Sequence, residues 1–268
     1  MVRRLIVISL VVFIFFSNPT FVSAAESAEA PAYIVEDSIQ QQILGATLRI
    51  TMIARDQSSD EPAYAVSNGL GTLVQDGDAA YIVTHDHWSR LARKVAAVRF
   101  ESAAGELLLE VTPSHFYSLI RYRDGGTMVL VAPNELPDCV RPLDVADKDD
   151  PLAEGDELAI AYWQPDDKQQ VSVEPVTIQV VEEHDGNASI KMQSLNGRVV
   201  EHGNSGGGVF AGTQLVGNMW ETITFRNQDS GQQTSGNLSR AARYTYDDAE
   251  HEELMADFSA TPGRGGAF

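Results

Sequence analysis

Residues 201–210 read Glu201-His202-Gly203-Asn204-Ser205-Gly206-Gly207-Gly208-Val209-Phe210, and the reading of Ser205 within this stretch decides the fold. Either the segment is a tight glycine turn or it presents a nucleophilic hydroxyl. Three glycines directly after the serine are poor helix formers, and Val209-Phe210 leads into another strand-like run. Working outward, short apolar or alternating runs dominate: 46–54, 69–74, 79–84, 94–100, 106–111, 127–132, 157–163, 171–181, 188–194 and 214–220. Turn chemistry separates several of them, at Asp76-Gly77, Asp185-Gly186-Asn187 and Ala211-Gly212. Many short strands with almost no helical periodicity between them predict an all-β barrel or sandwich. Helices are expected only from Asp37-Ser38 through Leu44 and over Asp247–Phe258, and the tail 261–268 reads as flexible.

The first two dozen of the 268 residues read as an export signal, spanning 1–24. Arg3 and Arg4 precede a run from Leu5 to Phe16 broken only by Ser9, and Val22-Ser23-Ala24 offers the small residues a signal peptidase reads. That run is too short for a bilayer, which needs about 20 residues. The chain is therefore expected to be secreted or periplasmic, with no stable membrane insertion once the signal is cut; an uncleaved anchor is the alternative. The segment carries two arginines and no acidic residue, so its loss takes the net charge from −19 to −21. Such a surface repels phosphate backbones, and nucleic acid is excluded as a partner. A single cysteine, Cys139, allows no intramolecular disulfide, which favours a bacterial exported protein held by its core. Followed by Val140, Cys139 reads as a small buried apolar residue.

Gly203-Asn204-Ser205-Gly206-Gly207 has the letters of the α/β-hydrolase elbow, but that setting needs βαβ units before the serine and a helix after it. The acid and histidine would follow, whereas the one histidine downstream is His251. The other order, histidine then acid then serine, asks for a histidine upstream at the end of a buried strand. Tyr81-Ile82-Val83-Thr84-His85-Asp86-His87-Trp88 supplies it, with His87 lying 118 residues before Ser205.

These residues resemble the chymotrypsin/trypsin-like serine proteases, in their bacterial HtrA-type form. Thr84 and His87 match the family's T-A-A-H, with His85 on an intervening small-residue position and Trp88 where animal enzymes often place a cysteine. Gly69-Leu70-Gly71-Thr72-Leu73-Val74 and the hairpin after it are similar to the strand pair before the histidine. Pro142-Leu143-Asp144-Val145-Ala146-Asp147 and Gly155-Asp156 are like the segment ahead of the second barrel, and Leu215-Val216-Gly217 like the strand after the serine. The likeness covers about 45 to 225, with no PDZ-like module expected beyond it. It implies two six-stranded antiparallel β-barrels with the active site in the cleft between them. The domain then spans 45–245, crossing over near 133–155, with a lead and short helix at 25–44 and an acidic helix and tail at 246–268.

Roles follow from the resemblance. His87 would be the general base for Ser205, and the N–H groups of Gly203 and Ser205 would form the oxyanion hole. Asn204 replaces the aspartate that zymogen-type enzymes pair with a new N-terminus, which implies no activating cleavage. The acid is Asp124, provided the Gly125-Gly126 pair bulges, because direct superposition puts Gly126 in the acid's place. An acid from elsewhere, such as Asp86, a water, or no catalysis are the alternatives. Val199 would form the base of the primary pocket and Trp220, Glu221 and Thr222 its wall, which favours an apolar substrate side chain over lysine or arginine. His202 either faces the cleft and touches bound peptide or is a solvated loop histidine. His115 and His184 read as surface residues in turns.

The pair His85 and His87 also spells a metal motif, but no further ligand cluster completes it at a recognisable spacing. No cofactor or metal is expected, and the partner is a protein or peptide substrate. The function implied is an exported serine endopeptidase. A catalytically silent, peptide-binding or scaffold member of the same fold is the competing reading, carried by Trp88 and the missing acid motif; an esterase on another fold is disfavoured.

Overall fold

A computed structural model describes residues 33–54, 64–124, 126–147, 150–163, 170–184, 187–198, 203–224 and 237–242. For Asp124, 221–224 and 237–242, among others, the description is of the backbone alone. The late helix, flexible tail and export signal expected from the sequence all fall outside these residues.

Among the described residues the chain is mostly β, with three short α-helices. Helix α1 (Asp37–Ala46) starts after Glu36 with no side-chain cap, so Asp37-Ser38 opens the helix rather than capping it. It seats Ile43 and Ala46 in the core. Strands β1 (Thr47–Ala54), β2 (Tyr64–Asp76), β3 (Ala79–Thr84), β4 (Ala97–Ser102), β5 (Leu107–Val111), β6 (Ile120–Asp124) and β7 (Thr127–Val131) follow. They form one antiparallel sheet in the order β5-β4-β1-β2-β3-β7-β6. A second layer is a closed barrel of β8 (Glu157–Trp163), β9 (Val171–His184), β10 (Asn187–Ser194), β11 (Gly208–Ala211), β12 (Gln214–Thr224) and β13 (Asn237–Ala242). The first layer has seven strands where six were expected. Its added strand β6, Ile-Arg-Tyr-Arg-Asp, alternates buried Ile120 and Tyr122 with arginines, too short and polar a run to stand out in sequence.

The continuous apolar runs are explained by burial on both faces. On β8, Leu158, Ile160 and Tyr162 point into the core of the closed barrel, while Ala159, Ala161 and Trp163 point into a second core between the layers. Likewise Met128 and Leu130 of β7 enter the core of the first sheet, and Val129 the shared one. Val83 of β3 joins that shared core, opposite Ile82 on the strand's other face. The connecting segment stitches the layers together: Leu143 bridges to Val74 on β2, and Val145, two residues on, bridges to Leu215 on β12.

Two local readings are corrected. Cys139 is exposed and it is Val140 that is buried, because the segment turns outward at Pro137-Asp138. A hydrogen bond with Glu106 raises the thiol above its usual pKa. His115 is exposed as expected, but on a helix, α3 (Pro113–Leu119), rather than in a turn. The helix is set by Thr112, whose hydroxyl accepts from the His115 N–H, and by proline at its first position.

Candidate active site

The strand β3 delivers Thr84 and then a tight turn carrying His85, Asp86 and His87 into the short helix α2 (Trp88–Leu91). Thr84 is fully buried and its hydroxyl donates to the Leu70 carbonyl at 2.6 Å, locking the strand end to β2. Trp88 is a core residue of the first sheet, and its ring lies over Gly69, where a β-carbon would come within 1.9 Å of it. The glycine at 69 is thus required by the tryptophan at 88.

The serine loop arrives from the second layer and lands on the same strand end. The Leu70 N–H donates to the Ser205 carbonyl at 3.2 Å. A β-carbon on Gly206 would lie 2.3 Å from both the Leu70 carbonyl oxygen and Thr84 Oγ1, and 2.9 Å from the His85 nitrogen. Ser205 and the histidine turn are therefore held side by side. Among the described residues the Ser205 hydroxyl makes no hydrogen bond, to His87 or to any other group. Such contacts are often long in a site without substrate.

The loop's own shape is built from glycine. Gly203 (φ +99°) and Gly206 (φ +88°) adopt the left-handed region, which side chains resist. Among the described residues, the N–H groups of Gly203 and Ser205 have no hydrogen-bond acceptor. Asn204 is buried, and its Oδ1 accepts the Trp163 N–H of β8 at 2.5 Å, so strand β8 fixes the loop from below. The Gly206 N–H and the Met219 carbonyl (2.9 Å), with the Met219 N–H and the Gly207 carbonyl (2.7 Å), fix it to β12.

Asp124 ends β6 and pairs in register with Thr127; its side chain lies outside the described residues. An irregularity in this strand pair falls between Ile120 and Tyr122. Gly126 is buried, and the Trp220 indole packs where its side chain would begin, with ring carbons 3.1–3.4 Å from a β-carbon at 126. The Asn218 amide closes this corner, donating to the Gly126 carbonyl at 2.9 Å and accepting from the Thr127 hydroxyl at 2.7 Å. Trp220 therefore borders the histidine side of the cleft. Val199 and His202 lie outside the described residues, and Glu221 and Thr222 continue the β12 backbone. The segment leading to Val199 is held by Ser194, whose hydroxyl accepts the N–H groups of Asn196 and Arg198.

Sequence reasoning missed His85, which is buried, with Nδ1 accepting the His87 N–H at 3.0 Å. The signal available was a histidine where a small residue was expected. Asp86 is also buried. Its Oδ1 lies 3.6 Å from Arg90 and from His85 Nδ1 without a hydrogen bond, and burial raises its pKa despite Arg90, Arg123 and His87.

Burial lowers the pKa of both His85 and His87 from 6.5 to about 4; Arg90 adds to the effect on His85, and His85 and Arg90 to that on His87. Their folded pKa values are depressed, so between pH 6.5 and about 4 the unfolded chain binds protons that these rings refuse. Stability is lost as pH falls through that window, at up to about 1.4 kcal/mol per pH unit for the buried His85. Thermal unfolding of the wild type and of His85→Asn across this range should show a shallower pH slope for the variant; equal slopes would contradict the assignment.

A histidine turn on one curled β sheet, pressed against a positive-φ glycine loop on a closed β barrel, defines a serine-protease fold of the chymotrypsin-like kind. The chain belongs to the trypsin family, whose model, described as Trypsin, matches residues 69–243. No curated protein matches the sequence. Among solved structures the chain is similar to Rv3671c from M. tuberculosis H37Rv, in the inactive form of a serine-to-alanine mutant. The two are 14% identical with a TM-score of 0.48, over 88% of this chain and 99% of that one.

Proposed function

We propose that this protein is an exported serine endopeptidase that cleaves protein substrates through an acyl-enzyme on Ser205, with His87 as general base. One observation carries the reading: the Ser205 loop, with its two unpaired N–H groups, is pinned by Leu70 and Gly206 to the strand end that presents His87. In the forward step Ser205 Oγ attacks the scissile carbonyl while His87 takes its proton, and the oxyanion forms against the N–H groups of Gly203 and Ser205. His87 then returns the proton to the leaving amine, and water repeats the sequence to release the acid. A neutral base suits the lowered pKa of His87, which keeps the ring unprotonated at neutral pH. Asn204, occupied by the Trp163 N–H, supports an enzyme that needs no new N-terminus to order its loop.

Incubating the folded wild type with a fluorophosphonate probe should modify Ser205 alone, located by peptide mass mapping, and should block cleavage of an unstructured protein. Profiling the products of a random peptide library then reads the primary preference, for which Val199 favours an apolar side chain. An unmodified Ser205 in folded protein would remove the mechanism and leave a silent peptide-binding member of the fold.

A further inference from the structure

We propose that His85 is a positioning residue for the base: its Nδ1 holds the backbone of His87, and its buried ring packs edge to face against the His87 imidazole. The geometry is specific. Nδ1 accepts the His87 N–H at 3.0 Å. The two imidazoles meet edge to face, with centroids 4.4 Å apart and planes at 69°. The ring is 7% exposed, so little water competes for its nitrogens. A neutral imidazole carries one N–H and one lone pair, and the His87 N–H takes the lone pair at Nδ1.

This matters because the corner where the family resemblance places the acid is filled by Gly126, Asn218 and the Trp220 indole. The ring of His87 is held between those of His85 and Trp88, whose centroids lie 4.4 and 4.1 Å away. The charged groups around His85 are Asp86, Arg90 and His87 on its own turn, with Arg123 of β6 beyond Asp86; β12 contributes the Trp220 backbone. Protonation at Nδ1 would remove the acceptor for the His87 N–H and turn the new N–H toward Asp86 Oδ1, 3.6 Å away.

The activity arm of the test rests on the endopeptidase reading; a second arm does not. His85→Ala should lower kcat on the order of 10²-fold with KM unchanged, the scale expected when a base is misplaced by about 1 Å. His85→Asn, whose side-chain oxygen stands near Nδ1, should restore most of it, while His85→Gln should not. By NMR titration of the His87 ring, which needs no turnover, His85→Ala should raise the His87 pKa toward its ordinary 6.5 and His85→Asn should change it less. A wild type that the fluorophosphonate probe does not modify ends the endopeptidase reading and leaves the titration to decide. If His85→Ala does not fold, His85→Asn and His85→Gln carry both arms, the first close to wild type and the second not. Wild-type kcat and an unmoved His87 titration in His85→Ala would overturn the proposal, as would equal behaviour of the Asn and Gln variants.

Discussion

Ser205→Ala is expected to lower kcat for peptide cleavage on the order of 10⁶-fold, the loss seen when the nucleophile of a serine protease is removed. Residual turnover on the order of 10³-fold over water would remain from the oxyanion donors and substrate binding. The same change should leave the fold intact. The Ser205 hydroxyl makes no hydrogen bond among the described residues, and the loop is held by backbone groups that alanine keeps. Stability should therefore move by no more than about 0.5 kcal/mol. The pair of measurements is the check: kcat in a peptide assay, and the thermal midpoint of the same preparation. A variant that still cleaves at a tenth of the wild-type rate would mean that another group attacks the carbonyl.

Gly206→Ala carries the largest expected effect on stability. The residue has φ +88°, and its new β-carbon would sit 2.3 Å from the Leu70 carbonyl oxygen and from Thr84 Oγ1. Both neighbours are held, one by being backbone and the other by its bond to that same carbonyl. Left-handed strain costs about 1–2 kcal/mol and overpacking about 1–3 kcal/mol, so on the order of 2–5 kcal/mol is lost. That is a large share of the roughly 5–15 kcal/mol that holds a native domain. Gly212→Ala is the matched control: its φ is +58°, but nothing lies within 4 Å of the added carbon. It should cost only the strain. Equal midpoints for the two variants in chemical denaturation would show that the serine loop does not press against the histidine strand.

What could be read from the sequence was the part carried by local chemistry. The glycine loop, the strand ending at Thr84, the Asp76-Gly77 hairpin and the Leu143-Asp144-Val145 connector all have short-range signatures, and each lies where it was expected. What could not be read depends on partners remote in the chain. His85 and Trp220 meet only because two layers fold against each other, and Trp220 fills the corner at Gly126 for the same reason. Strand β6 hid behind its arginines, and α3 behind a Thr-Pro start that also suits a turn. The misreading of Cys139 has the same origin: its neighbour Val140 took the inward position, and nothing in the dipeptide says which of the two will.

The contact between Gly126 and Trp220 constrains how this lineage can change. An aspartate at 126 would begin with a β-carbon 3.1 Å from the indole, so that ring must give way by a few tenths of an ångström. Trimming the tryptophan first would open a void beside the Asn218 amide, with no charge yet to fill it. Each replacement changes what the other position can accept, so the two positions are coupled. A library that varies both together therefore samples combinations that changing one site at a time does not reach.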